Sequence, residues 1–184
     1  MTSIVIVGDG PGGLSAALFL SKAGLEVTVF GIDETSMHYA FLRNYLGAPD
    51  ISGSDFQMIA RLQVESFGAE FNHEEVKSVV AVDQGFEVVT ASGEIQLSDY
   101  LILTEGKNPV LAESLGLEST AAGITVDGEY RSSLDRVYVL GRAARRRRSQ
   151  AIISAGAGAA AAVDILSREA GRDFQDWDSP PKSG

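Results

Sequence analysis

The chain has 184 residues, 45% hydrophobic and 22% charged, the balance of a single domain able to bury a core. Its 25 acids outnumber its 15 bases, giving a net charge of −10. Five of the bases are Arg residues between Arg142 and Arg148, so the rest of the chain stands at −15, which disfavours nucleic-acid and anionic-membrane binding. Cysteine is absent, which excludes disulfides, thiolate metal sites, Fe–S clusters and any dithiol relay within this chain. His38 and His73 lie far apart in sequence, and no metal site is expected. No apolar run of bilayer-spanning length stands out, and no basic segment precedes the first apolar residues. A cytoplasmic location away from membranes is therefore expected.

Ile4–Val7 is a β-branched run, read as a strand buried on both faces. It leads into Gly8-Asp9-Gly10-Pro11-Gly12-Gly13. Apolar residues then recur at helical spacing from Leu14 to Leu20, and Gly24 is placed to end the helix. Val27–Phe30 alternates as a second strand, which completes a right-handed βαβ unit with parallel strands. From 31 to 53 the periodicity lapses into a loop with aromatic anchors Tyr39, Phe41 and Tyr45. Helical spacing returns over 55–67, with Phe56, Ile59, Leu62 and Val64 as its apolar positions. The runs 76–82, 86–90 and 95–97, separated by Asp83-Gln84-Gly85 and Ser92-Gly93, predict a small antiparallel meander. Residues 100–103 and 137–140 read as further buried strands, and 151–170 as a long Ala/Gly-rich helix. The tail, 172–184, reads as frayed. The small residues of the last helix also permit packing against a second copy, a mild argument for a homodimer.

In Gly8-x-Gly10-x-x-Gly13 the first glycine permits a tight turn out of the strand. The second lets backbone approach a pyrophosphate, and the third lets helix pack closely on strand. With Pro11 and Gly12 these residues open a helix whose free N–H groups and positive dipole end attract phosphates. Placed between two strands, the hexad predicts a bound dinucleotide. The fold class that follows is α/β: a Rossmann-like FAD/NAD(P)-binding fold over residues 1–171, with a central parallel sheet and the meander.

Several segments together resemble the FAD domain of thioredoxin reductase-like flavoproteins, in the pyridine nucleotide-disulfide oxidoreductase superfamily. These are Val5–Leu14, Asn44-Tyr45-Leu46-Gly47 with Ile51-Ser52-Gly53, Phe67–Glu70, Val76–Val79, Ile124–Asp127, Val137–Gly141 and Gln150-Ala151. The resemblance covers about residues 3–171. It implies FAD as cofactor, with pyrophosphate on the Gly8–Gly13 loop and the flavin ring near Gln150 and Ala151. In that family a nicotinamide-binding domain carrying the redox dithiol interrupts the FAD domain. Here Leu117 is followed within a few residues by Ile124, without a second Gly-x-Gly-x-x-Gly and without Cys. Disulfide reduction by this chain alone is therefore excluded, and electrons would come from a separate donor protein or a diffusing donor.

Three positions depart from the family's FAD contacts. Gly31 stands where an acid ordinarily binds the adenosine ribose, with Asp33 or Glu34 as re-registered substitutes. The Thr-Gly turn after the closing strand reads Thr104-Glu105, with Gly106 one place late. Gly141 is followed by Arg142 in place of Asp. These departures support a competing expectation, a non-catalytic nucleotide-binding or regulatory module for NADP(H), another ADP-containing nucleotide or no ligand at all. Arg142 is a candidate partner for ligand phosphates, while Arg145–Arg148 read more readily as a solvated loop. Glu105 is a candidate general base, a helix cap or a solvent-facing residue; His38, with Tyr39, could line a flavin or substrate edge but reads more readily as a solvent-facing loop residue. No catalytic residue is assigned.

Overall fold

In the computed structural model, which describes residues 1–180, the β-branched runs form the centre of the molecule. β1 (Ser3–Val7) passes through the glycine turn into α1 (Pro11–Lys22), and β2 (Glu26–Phe30) follows. A 3₁₀ turn, Ser36–Tyr39, and the short strands β3 (Phe41–Leu42) and β4 (Ile51–Ser52) precede α2 (Gly53–Ser66). Then come β5 (Glu70–Asn72), β6 (Val76–Val82), β7 (Gly85–Thr90), β8 (Ile95–Ser98) and β9 (Tyr100–Leu103). The chain closes with α3 (Val110–Ser114), β10 (Ser119–Thr120), β11 (Gly123–Ile124), β12 (Val137–Val139), α4 (Gly141–Ala144) and α5 (Ala151–Ala170).

The main sheet runs β12-β9-β1-β2-β5 with every pairing parallel. Ile4, Val5, Ile6 and Leu101–Leu103 are buried on both of its faces, each large side chain contributing about 1.5–3 kcal/mol. β6, β7 and β8 form the antiparallel meander, and its inward residues Val76, Val79, Phe86 and Val88 join the same core. This is the α/β architecture expected from the sequence, with β5 as an edge strand the periodicity did not reveal.

Helix boundaries follow local chemistry. Pro11 opens α1, where its missing N–H costs nothing. Ser52 caps α2, its Oγ accepting from the Asp55 N–H at 3.1 Å and donating to the Asp55 carboxylate at 2.6 Å. Gly171, left-handed at φ 63°, ends α5. α5 lies on α1 through small residues, Gly158 directly over Gly12 and Ala16. Asp164 on α5 accepts from Arg131 and from the Tyr138 hydroxyl, which ties the helix to β12.

Four expectations change. Segment 31–53 carries the 3₁₀ turn and the β3–β4 pair, and its buried anchors are Met37 and Leu42; Tyr39 and Phe41 are exposed, while Tyr45 packs on Phe56 with ring centres 4.8 Å apart. In α2, Ile59 and Leu62 face outward, and the buried side is Gly53, Gln57 and Val64. α5 does meet the length and hydropathy of a membrane span, but its buried face belongs to the core on α1, as in a core helix. The tail is in part docked: Phe174 packs against the core, and Asp176 and Asp178 accept from the Lys22 ammonium. Residues 181–184 lie outside the described residues.

Candidate functional site

The site lies at the carboxyl ends of β1, β2 and β9, where open α/β sheets bind their ligands. β1 stops at Val7 because Gly8 adopts φ 106°, a left-handed turn that sends the chain beneath Thr104. A Cβ on Gly8 would lie 2.6 Å from the Thr104 carbonyl oxygen, so the closing strand presses directly on the turn. Thr104 adds a hydroxyl bond to the Gly8 carbonyl at 3.0 Å. The turn delivers Gly10, Pro11 and Gly12 to the start of α1, whose first N–H groups have no partner within the helix.

Around this loop lies a cavity of about 960 Å³, near the top of the range of ~300–1,000 Å³ for small-molecule sites. It continues from the glycine turn past Gly31, Glu34 and Met37 on one side and Thr104, Glu105 and Gly106 on the other. It ends at Gly141, Arg142, Gln150 and Ala151, the start of α5. The cavity thus connects the N-termini of two long helices. Its length, glycine-lined floor and helix ends fit an extended dinucleotide, with anionic groups at the amide-rich ends.

The sequence-predicted residues sort cleanly. Gly8, Gly10, Pro11, Gly12, Gly31, Thr104, Glu105, Gly106, Gly141, Arg142, Gln150 and Ala151 all line the cavity. Gly13 does not; it sits beneath the loop against Gly8 and Ile6. Asp33 does not line it either. Its half-exposed carboxylate pairs with His38 at 3.1 Å, so Asp33 is not placed as the substitute ribose acid, whereas Glu34 reaches the cavity wall. His38 is spent on local bonds to the Ser54 hydroxyl and the Asp33 carbonyl.

Among its readings, Glu105 resolves in favour of the helix cap. Its carboxylate accepts from the Leu111 and Ala112 N–H groups at 2.7 and 3.0 Å, which fastens the start of α3. Burial pushes its carboxyl above the usual range, against the pull of those two amides. Arg142 crosses the cavity mouth, donating to Ser149 and to Ser36 at 3.2 Å each. A second bridge runs from Asn44 to Gln150 at 3.3 Å. Of the remaining arginines, Arg146 reaches the short hairpin that follows Leu117, its N–H donating to the Ala122 carbonyl, and Arg145 stacks over Tyr130. Among the described residues, none of Arg142 and Arg145–Arg148 pairs with a carboxylate.

Sequence reasoning missed Asp9 and its supports on α2. Asp9 is 5% exposed and bonded to Arg61, and the Gln57 side-chain amide donates to its carbonyl. Burial holds the Asp9 carboxyl above the usual carboxylate range, against the pull of Arg61. The signal was present as Gln57 and Arg61 one turn apart on α2, outside the apolar positions Phe56, Ile59, Leu62 and Val64.

Comparison with known proteins agrees with this geometry. Residues 2–49 match the family described as pyridine nucleotide-disulphide oxidoreductase. The chain is 34% identical over 117 residues to a thioredoxin reductase of Spironucleus barkhanus, covering 61% of this chain and 38% of that protein. It is 32% identical over 139 residues to a bifunctional thioredoxin reductase/thioredoxin of Mycobacterium leprae, covering 69% and 30%. The matches therefore span about a third of the length of these relatives. A thioredoxin reductase structure from Gloeobacter violaceus superposes with a TM-score of 0.85 at 16% identity, covering 97% of this chain and 100% of that one.

Proposed function

We propose, for a chain that belongs to the thioredoxin reductase-like part of the pyridine nucleotide-disulphide oxidoreductase superfamily, a function as an FAD-binding flavoprotein domain. Residues 1–171 hold FAD in extended form, with its pyrophosphate against Gly10–Gly12 and the start of α1. Its ring system lies toward Gln150 and Ala151. The observation that supports this reading is the continuous cavity joining the N-termini of α1 and α5. Bound FAD supplies hydride or single-electron transfer; the protein supplies orientation and electrostatics. Arg142 turns from Ser36 to the ligand's phosphates, where its fork makes charge-assisted bonds. The α5 N-terminus offers amides and a positive dipole end to negative charge at the ring.

Electrons come from outside the domain, because Leu117 is joined to Ile124 by a hairpin too short to hold a nicotinamide site. The exposed Arg145–Arg148 ridge lies beside that hairpin and just before α5. It is the one basic stretch on a body of net −15, and so favours an acidic donor protein in a single orientation.

The test is a visible spectrum of the protein purified in high salt, followed by titration of apoprotein with FAD. A yellow protein, or saturable quenching of flavin fluorescence, supports the reading. A colourless protein that ignores added FAD overturns it. A second reading, a nucleotide-binding module without redox function, is favoured by the Arg142–Ser36 and Asn44–Gln150 bridges, which join residues lining the cavity. It gains if FAD binds and no reductant, whether NADH, NADPH or a reduced carrier protein, bleaches it.

A further inference from the structure

At the end of β2, where a dinucleotide fold ordinarily carries an acid for the ribose, this chain has Gly31. No side chain can start there. A Cβ on Gly31 would fall 2.5 Å from Asp9 Cβ and 2.6 Å from Asp9 Oδ2, inside any allowed contact. The room is filled from the first loop instead, by a carboxylate that belongs to the variable position of Gly8-x-Gly10. Asp9 and Gly31 are therefore coupled: the acid at one position requires the glycine at the other.

The carboxylate is held but not used up. Its Oδ2 accepts from the Arg61 guanidinium and, at 3.1 Å, from the Asp33 N–H. No other residue among those described donates to its Oδ1, although Asp9 is 95% buried. What exposure Asp9 retains is to the cavity it lines, next to Gly10 and Gly31. Gln57 and Arg61, both from α2, fix the backbone and side chain of this one residue. A buried carboxylate with one oxygen anchored and the other open toward a dinucleotide-sized cavity is an acceptor prepared for a hydroxyl donor.

We propose that Asp9 is the ribose-binding acid of this protein, its Oδ1 accepting from an adenosine ribose hydroxyl of the bound dinucleotide, in place of the acid absent at Gly31. The assignment rests on the dinucleotide reading above and makes it more specific. An anion at this position repels a 2′-phosphate, so the site takes FAD or another nucleotide with free ribose hydroxyls and rejects NADP(H).

The test uses FAD, ADP and 2′,3′-dideoxy-ADP as probes, with affinities read by flavin fluorescence and by calorimetry. Wild-type protein is expected to bind ADP about tenfold to a hundredfold more tightly than the dideoxy form, the range for a hydrogen bond to a charged acceptor. Asp9→Gly is expected to lose that preference and to weaken FAD by a similar factor. The double variant Asp9→Gly with Gly31→Glu returns a carboxylate at the usual place and is expected to recover both, whereas Gly31→Glu alone loses binding because Asp9 still fills the space. Wild-type protein that binds FAD yet does not distinguish the two ADP probes overturns the assignment and leaves the dinucleotide reading standing. That comparison needs no variant, so a folding defect in Asp9→Gly does not obscure it. Wild-type protein that binds neither FAD nor ADP overturns both.

Discussion

Gly156 and Gly158 stand two residues apart in the same helix, and the same substitution at each is expected to have opposite effects. At both sites Ala relieves the conformational cost of glycine inside a helix, worth about 0.8–1 kcal/mol. At Gly156 a Cβ meets nothing within 4 Å, so the gain is kept whole. At Gly158 a Cβ would lie 2.9 Å from the Ala16 nitrogen and 3.0 Å from the Gly12 carbonyl carbon, and closer still to its oxygen. Since nonbonded carbon contacts settle at ~3.5–4.0 Å, α5 must back away from α1 by roughly half an ångström or more. These neighbours are backbone atoms and cannot rotate aside. Overpacking of this kind costs about 1–3 kcal/mol, which exceeds the helix gain. Urea and thermal melts should therefore place Gly156→Ala above wild type by roughly 2–4 °C and Gly158→Ala below it. The shift should also weaken FAD, because Gly12 and the α5 N-terminus both line the cavity. Gly158→Ala as stable as wild type would refute the close α1–α5 contact on which the cavity shape depends.

Tyr138→Phe removes the hydroxyl that donates to Asp164 at 2.5 Å; a loss of about 1 kcal/mol is expected by denaturant titration, and no loss would argue against the buried bond. Asp164→Asn should cost more, about 1–3 kcal/mol, because it also unpairs Arg131, whose 43% side-chain exposure limits the penalty. Burial would raise the Asp164 carboxyl, but Arg131 and Tyr138 outweigh it and hold the group below the usual range. Its contribution is thus present above the unfolded carboxylate value and lost as pH falls through the lowered one, so thermal melts of wild type should fall below about pH 4 more steeply than those of Asp164→Asn. Glu105→Gln should loosen α3 by about 1 kcal/mol while leaving the far-UV spectrum intact, read as faster amide exchange at Leu111 and Ala112.

The sequence by itself determined the βαβ unit, the meander and the long last helix, because each rests on local rules: β-branched runs, glycine turns and helical spacing. It also placed about a third of the cavity wall: the glycine hexad by its local pattern, and the Thr104–Gly106 turn, Gly141, Arg142 and the start of α5 through the family resemblance. What it could not give were relations between distant segments. Gly31 read as a lost acid until the tertiary structure showed Asp9 in that space, 22 residues earlier in the chain and beside it in the fold. Gln57 and Arg61 fell outside the apolar positions of α2, since polarity in a helix ordinarily marks the outer face; only a buried charge opposite them makes the inner face polar. Glu105 could be base or cap by its chemistry alone, and the decision fell to two amides of α3, six and seven residues on. Periodicity reports which face of an element is apolar. Which polar groups a buried face must satisfy depends on what packs against it, and that is decided only when the chain closes.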